Sequence, residues 1–245
     1  MQLTPEQIQD NWNKHLQIVE QYIQGSRKDH LLVMYKSLEE HMVLAPASGR
    51  VHYHNAFAGG YIEHVNRVVE CAVKTMKFWN SMGGEIDFTE EELVFAALNH
   101  DLGKVGDGNS GGYIPETSDW HRKNQGTMYK PNPELDFMLI QDRSLYLLQK
   151  FGISMTQKEY MAIRLHDGIY DDANKAYFFS HSPDSKFRTN IVYILHQADF
   201  MASKIEYDRW RANEKPASQK PQKVKSSTGR PVVASEGLFN MLKNI

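Results

Sequence analysis

The sequence predicts an all-α fold, and three observations support that class. Apolar residues recur at three- and four-residue steps from Tyr61 to about Met82, as on one face of a long helix. The tetrapeptides T-E-E-E, from Thr89, and T-Q-K-E, from Thr156, have the form of a capping box, which marks the start of a helix. Alternating apolar and polar residues are scarce, and the one candidate pair of short strands lies near 177–180.

Other helices are indicated by their end signals. Thr4 followed by Pro5 is a typical first turn, and Gly83 with Gly84 is a typical stop after the long helix. Residues 103–133 are rich in Gly, Asn, Pro and Ser, and irregular segments of this length in compact domains are often functional. The predicted helices span about 5–24, 29–43, 61–82, 90–100, 134–151, 157–166 and 190–210.

Length and composition narrow the function classes. The 245 residues suit one domain with appendages or two small domains. The formal charge of −2 gives no general attraction to nucleic acid or to a membrane surface. Because Cys71 is the single cysteine, an intrachain disulfide is excluded. The polar N-terminus and the lack of a long apolar run predict no membrane association and a cytoplasmic location.

Composition also predicts how the chain is divided. A helical bundle is expected over 1–212, followed by a flexible basic linker over 213–235. The last segment, 236–245, is apolar along one helical face. Two roles remain open for that segment: it docks on its own domain, or it binds a protein partner as a helix in a groove.

Histidine and aspartate residues stand where apolar helical patterns end. His64 lies in the long predicted helix, and His100 with Asp101 closes the helix that starts at the first capping box. Asp199 lies in an otherwise apolar stretch, where a buried charge needs a partner or a metal. Imidazoles and carboxylates held by several rigid helices are suitable ligands for a divalent cation. These four residues are therefore predicted metal ligands.

The order His64, His100-Asp101, Asp199 resembles the signature of the HD-domain metal-dependent phosphohydrolase superfamily, and H-D-L-G-K resembles the commonest form of its core motif. The segment Y-H-N-A-F-A-G-G-Y-I-E-H is similar to the one before the first histidine in HD domains of bacterial 3′–5′ exoribonucleases. The resemblance covers roughly residues 50–205. It implies an HD-domain helical bundle with a long irregular insertion after the HD motif. It also implies a central metal and hydrolysis of a phosphoester, often in a nucleotide or nucleic acid.

The resemblance leaves the metal open: the ion could be Mn, Mg, Fe, Ni, Co or Zn, with one or two per chain. Two-metal members of the superfamily use extra histidines between the HD pair and the final aspartate. The candidates here are His121 and His166, and His166 resembles the histidine that ends the corresponding helix in those members. Asp142 stands where another is usually found, and since an aspartate can also bind a metal, Asp142 and His166 form a candidate second site.

Three residues are candidates for catalysis. Asp101 is expected to orient the attacking water, and Lys104, three positions later, to bind phosphate as a point charge. His121 in the excursion is a candidate general acid. The excursion also interleaves cations with an aromatic residue, which suits a substrate with phosphate and base, although a solvated basic loop has the same composition. The candidate substrate-binding residues are Lys104, Arg122, Lys123, Tyr129 and Lys130. His52 and His54, which precede the helix of the first ligand, are candidates to line the pocket.

The function predicted from these residues is hydrolysis of a phosphoester in a phosphorylated small molecule, a nucleotide or a nucleotide-like compound. One alternative is a 3′–5′ exonuclease or phosphodiesterase acting on nucleic-acid ends. The lack of an all-β segment that could form an oligonucleotide-binding barrel favours the small substrate. An alternative from another class is a non-catalytic HD module that senses a nucleotide or acts as a scaffold, and the presence of all four core ligands favours catalysis.

Overall fold

The computed structural model describes residues 2–179, 184, 187 and 189–214. Within these residues the chain is mainly helical, with one two-stranded sheet, which confirms the all-α prediction. The helices described are α1 (Pro5–Tyr22), α2 (Gly25–Ser37), α3 (Glu39–Leu44), α4 (Gly60–Ser81), α5 (Glu90–Asn99), α6 (Asp119–Gln125), α7 (Ile140–Lys150), α8 (Gln157–Leu165), α9 (Lys175–Phe178) and α10 (Ile191–Glu214). Short 3₁₀ turns span Leu102–Val105, Gly168–Tyr170 and Asp172–Asn174.

The predicted helix starts have the expected capping geometry. The side chain of Thr89 accepts from the backbone N–H of Glu92, and the Glu92 carboxylate accepts from the backbone N–H of Thr89. Thr156 and Glu159 form the same reciprocal pair at the start of α8. The long helix α4 ends just before Gly83, whose φ of +87° suits a residue without a Cβ atom.

Three predicted boundaries are wrong. The helix expected over 29–43 is two helices, α2 and α3, because the chain leaves helical geometry at Leu38 (φ −101°, ψ 4°). The helix expected from 134 begins only at Ile140, after a loop that Arg143 holds by donating to the carbonyl of Asp136 at 2.7 Å. Where short strands were expected near 177–180, the described residues form the end of α9.

The excursion after α5 carries regular structure of its own. Strand β1 (Tyr113–Pro115) pairs antiparallel with β2 (Tyr129–Pro131), and the backbone of Ile114 lies opposite that of Lys130. Helix α6 lies between the two strands. The predicted irregular insertion is therefore, in part, a small hairpin closed by a short helix.

Helix α5 is the centre of the bundle. It packs against α4 on one side and α8 on another, while α4 also contacts α1 and α8 also contacts α7. Every residue from Leu93 to Asn99 is buried, so no face of this part of α5 meets solvent. The residues that directly follow α5, His100 and Asp101, are consequently placed in the protein interior.

Among the residues that the structure describes, no helix combines the length and the apolar content that a membrane crossing requires. The predicted linker 213–235 lies outside the described residues, apart from its first two positions, which end α10. The apolar segment 236–245 lies wholly outside them, so its two predicted roles remain predictions.

Candidate metal centre

The four predicted ligands converge in the bundle interior. His64 lies in the first turns of α4, His100 and Asp101 follow α5, and Asp199 lies on α10. The Nε2 atom of His64 is 3.1 Å from Oδ1 of Asp199 and 3.7 Å from Oδ2 of Asp101. The Nε2 atom of His100 is 3.4 Å from Oδ2 of Asp101 and 3.9 Å from Oδ1 of Asp199. Both histidines are fully buried.

His166 joins the same cluster. It directly follows α8, as His100 directly follows α5, and its Nε2 atom lies 3.6 Å from Oδ1 of Asp101. The rings of His100 and His166 meet edge to face, with centroids 4.8 Å apart. Among the described residues, three sets of three have ligand atoms within 4.8 Å of one another, and they overlap at His64 and His100. The sets are His54, His64 and Glu206; His64, His100 and Asp101; and His100, His166 and Asp199.

All three imidazoles are held in the same orientation. The Nδ1 atom of His100 lies 2.8 Å from the carbonyl oxygen of Ala97, and Nδ1 of His166 lies 2.7 Å from that of Ile163. Because a carbonyl oxygen only accepts, each Nδ1 carries a proton, and Nε2 is the ring atom that points to the cluster and can bind a cation. His64 has the same orientation, and its Nδ1 lies 3.0 Å from the buried carboxylate of Glu206.

This donor set fits a metal ion. The Nε2 atoms of His64 and His100 are buried and have no hydrogen-bond partner among the described residues, which is costly for polar atoms unless another group occupies the space between them. Ligands bonded to one ion at about 2.1 Å lie at most about 4.2 Å apart. The four distances of 3.1–3.9 Å among His64, His100, Asp101 and Asp199 satisfy that limit.

The electrostatics of the cluster favour positive charge. Burial alone would lower the pKa of His64, but Glu206 and Asp199 outweigh burial and raise that pKa to about 10. Burial alone would raise the pKa of Asp101, yet the charge of Lys104 beside it holds that pKa well below its usual range. The cluster therefore stabilises a proton on an imidazole, and a divalent cation at the same place would gain from the same carboxylates.

Two glycines of the motifs allow close approach of the backbone. A Cβ atom on Gly60 would lie 2.1 Å from the carbonyl oxygen of Asn55, so the loop before α4 can fold back only over a glycine. A Cβ atom on Gly103 would lie 2.1 Å from the carbonyl oxygen of Ile140. That contact packs the segment after Asp101 against the start of α7, where the backbone N–H of Gly103 donates to Ser144 at 2.8 Å.

A large open cavity leads to the cluster. Its volume is about 840 Å³, within the range of small-molecule sites. Asp199 and Lys104 both line it, and Nζ of Lys104 lies 2.5 Å from Oδ2 of Asp101. The lysine predicted to lie beside the metal therefore contacts a predicted ligand and also faces the cavity. The other lining residues that matter for chemistry are His54, Tyr53, Tyr113 and Tyr207.

His54 is a further imidazole at this cavity. The centroid of its ring lies 4.5 Å from that of His64, and its buried Nε2 atom has no hydrogen-bond partner in the part of the chain that the structure describes. Burial, together with the positive charges of His64 and Lys104, holds the pKa of His54 well below its usual range. His54 is therefore neutral and offers a hydrogen-bonding nitrogen beside the cluster.

Asp142 is not brought to the cluster. Its carboxylate lies 3.0 Å from Nε of Arg164, and its side chain is 43% exposed. Among the described residues, no group with metal-binding geometry includes it. The candidate second site of Asp142 with His166 is thus not assembled here, because Arg164 pairs with the aspartate on the outer side of α7 and α8 while His166 turns inward.

The basic residues of the excursion also lie away from the cavity lining. His121, on α6, is 45% exposed and lies 3.6 Å from the carboxylate of Glu116. The structure does not bring the predicted general acid or most of the predicted substrate-binding residues to the cluster, because β1, α6 and β2 form their own hairpin along the loop before α4. The residues concerned are His121, Arg122, Lys123, Tyr129 and Lys130.

One site residue, Glu206, was not predicted. Glu206 lies seven positions after Asp199, and this spacing puts both carboxylates on one face of α10. That spacing was the available signal for Glu206. His52 and His54 were candidates for the pocket because they precede the helix of His64, and both line the cavity.

Comparisons with family models, with curated proteins and with solved structures found no match to this chain. The structure supports a metal site but not membership of a named family. The chain is a helical protein whose buried histidine and aspartate groups could bind a metal, and the arrangement is compatible with an HD-type site.

Proposed function

We propose that this chain is a metal-dependent phosphohydrolase of the HD type that cleaves a phosphoester in a nucleotide or a nucleotide-like compound. One observation carries the proposal. Three imidazoles, each fixed with Nε2 inward, meet the carboxylates of Asp101 and Asp199 at the floor of an open cavity that Lys104 also lines. The motif order in the sequence supports the same conclusion independently.

When bound, a divalent cation would neutralise phosphoryl oxygens and lower the pKa of a water molecule. Its ligands would be His64, His100, Asp101 and Asp199, with His166 at the edge of the set. Asp199 lines the cavity with its side chain 21% exposed, so its carboxylate can accept a hydrogen bond from the attacking water. We assign the orienting role to Asp199, because Asp101 is only 4% exposed and is held by Lys104.

In the reaction, the water oxygen bonds to phosphorus, the ester P–O bond breaks, and the alcohol leaves with a proton. Lys104 places a positive charge at the cavity wall, where it binds a non-bridging phosphoryl oxygen. The His54 side chain lines the same cavity, and its buried Nε2 atom has no hydrogen-bond partner among the described residues. We assign to the His54 ring a hydrogen bond to the leaving oxygen, in place of the general acid His121, which lies away from the cavity lining.

The form of the cavity supports a small substrate. Its volume of about 840 Å³ admits a nucleotide, and tyrosines line it above the cluster. Tyr53 and Tyr113 provide aromatic surface, and the cluster with Lys104 forms the end of the cavity where the phosphate would bind. Within the described residues the sheet has two short strands and no barrel that would hold an extended oligonucleotide.

The test begins with the metal content of the purified full chain, measured by mass spectrometry. Release of p-nitrophenol from mono- and bis-p-nitrophenyl phosphate is then followed with added Mn²⁺, with a chelator, and after Mn²⁺ is restored. We expect release that the chelator abolishes and Mn²⁺ recovers. Asp101→Asn should remove both metal and activity, whereas the matched exchange Asp10→Asn, on the exposed surface of α1, should change neither.

Metal binding without hydrolysis of any phosphoester, across nucleoside mono-, di- and triphosphates and short oligonucleotides, would contradict the proposal. That result would favour the non-catalytic module. Hydrolysis that persists in a metal-free Asp101→Asn protein would contradict the role of the cluster.

A further inference from the structure

A second cavity adjoins the one that leads to the cluster. Its volume is about 570 Å³, and it lies along the exposed side of α10. The two cavities share four lining residues, which stand between them and present surface to both. The shared residues are Tyr170, His196, Phe200 and Lys204.

The shared residues form an aromatic wall. The rings of Tyr170 and Phe200 are nearly parallel, at 7°, with centroids 6.1 Å apart. The ring of His196 lies 6.0 Å from that of Tyr170. Nζ of Lys204 lies over the Phe200 ring, 5.0 Å from its centroid. Tyr170 is 72% exposed and Phe200 is 42% exposed, so both rings present surface to a ligand.

The wall is joined to the candidate metal ligands by short, fixed connections. Phe200 directly follows Asp199 on α10, and Tyr170 follows His166 by four residues. The Nδ1 atom of His196 donates to the carbonyl oxygen of His166 at 2.7 Å. A ligand on the wall therefore lies at a set distance from the cluster.

We propose that this wall is a subsite for a planar aromatic group of the substrate, whose phosphate lies at Lys104 and the cluster. The inference deepens the proposed function and rests on it for the position of the phosphate. Aromatic groups stack on exposed rings irrespective of their detailed identity, since each has a π-face. Lys204, one turn beyond Phe200 on the same helix face, adds a cation beside the stacking surface.

An aromatic group suits this wall better than an aliphatic one. Two near-parallel rings and an imidazole offer flat faces, and a flat ligand covers them with few rotatable bonds to immobilise. The adjoining cavity also has room for a fused ring system.

The first experiment needs no phosphate chemistry. Binding of adenosine to the full chain is measured by ligand-observed NMR, with ribose as the ligand that lacks the aromatic group. We expect saturation transfer from the protein to the adenine protons of adenosine and none to the protons of ribose. Phe200→Ala should weaken adenosine binding about tenfold or more, and Phe200→Tyr should restore it. Phe137→Ala, at a 91% exposed ring outside both cavities, is the matched control and should bind as the unaltered chain does.

The second experiment compares AMP with ribose 5-phosphate as substrates. Phe200→Ala should raise KM for AMP about tenfold. It should leave unchanged the kcat for each of the two substrates and the KM for ribose 5-phosphate. Adenosine binding that Phe200→Ala or Phe200→Leu leaves unchanged would overturn the subsite, even if hydrolysis is intact. If hydrolysis fails while adenosine binding still depends on Phe200, the subsite stands and the proposed function falls.

Discussion

The Nδ1 atom of His64 lies 3.0 Å from Oε2 of Glu206, and both side chains are buried. The second oxygen of the same carboxylate accepts from Nε of Arg67 at 2.9 Å. Glu206 therefore holds the His64 ring so that Nε2 faces the cluster, and its negative charge makes that nitrogen a stronger donor to a cation.

Replacing Glu206 by glutamine should weaken metal binding by about ten- to a hundredfold, because the ring loses its charged partner while the side-chain size is kept. The measurement is titration of the metal-free protein with Co²⁺, followed by calorimetry and by the visible absorption of the bound ion. Glu63→Gln is the matched control, since Glu63 also pairs with Arg67, at 2.9 Å, but does not bond to His64. Equal affinities for the two variants would show that Glu206 serves only the ion-pair network.

Lys104→Met should lower kcat/KM by roughly ten- to a thousandfold, at about 1.4 kcal/mol per tenfold, because the phosphate loses its point charge. Metal affinity should stay the same or rise, since the ammonium group no longer competes for Oδ2 of Asp101. Lys36→Met removes a lysine whose side chain is 78% exposed, and should leave both quantities unchanged. Loss of metal in Lys104→Met would show instead that the lysine organises the cluster.

The number of metal ions bound per chain should differ between a variant at His166 and a variant at Asp142. His166→Gln is expected to lower the amount or affinity of bound metal, since Nε2 of His166 lies 3.6 Å from a ligand oxygen of Asp101. Asp142→Asn is expected to leave metal content unchanged, because its partner is Arg164. Native mass spectrometry of both variants provides the count. Metal loss in Asp142→Asn would restore the second site that the sequence suggested.

His15 should make the protein less stable at mildly acidic pH. Its Nδ1 atom lies 3.0 Å from Oδ1 of Asn66, whose amide nitrogen donates to the carbonyl of Asn11, so Nδ1 carries the proton. The Nε2 atom is buried and has no hydrogen-bond partner within the described ranges, and burial lowers the pKa of His15 to about 4. The unfolded chain binds a second proton on His15 more tightly than the folded chain does. The free energy of unfolding therefore keeps its full value above about pH 6.5 and falls by on the order of 3 kcal/mol towards pH 4.

The measurement for His15 is urea unfolding, followed by circular dichroism, at about pH 7.5 and about pH 5. His15→Gln keeps an N–H donor for Asn66 and removes the titrating group. The fall in the free energy of unfolding between the two pH values should therefore be smaller in this variant. An identical fall in both proteins would assign the acid sensitivity to other groups.

Much of the fold could be predicted because helix signals are local. The capping boxes at Thr89 and Thr156 fixed two helix starts, and both helices end at a predicted ligand, His100 and His166. The break at Leu38 could not be predicted, because the chain there turns to pack α3 against α4, and no glycine or proline marks the bend. Tertiary contacts decided that boundary.

The site residues also fall into two groups, those that the sequence pattern predicts and those that only tertiary contacts place. His64, His100, Asp101 and Asp199 were predictable because their order and helical positions carry the information. The hairpin of the excursion was not predictable, and its residues 121–123, 129 and 130 were expected at the site only because the segment combines cations with an aromatic residue. Glu206 follows Asp199 by two helical turns, but a carboxylate on a long charged helix has many possible partners until the fold brings His64 to it.

The ends of α5 and α8 have a consequence for the order in which ligands bind. Both helices point their C-terminal carbonyls, which carry partial negative charge, towards the cluster. Together with Asp101, Asp199 and Glu206, they favour a cation over an anion at this place. Lys104 contacts Asp101 and lines the cavity, and a bound metal would add positive charge beside it for a phosphate to bind. Binding is therefore expected to be sequential, with the cation entering first and the phosphate following.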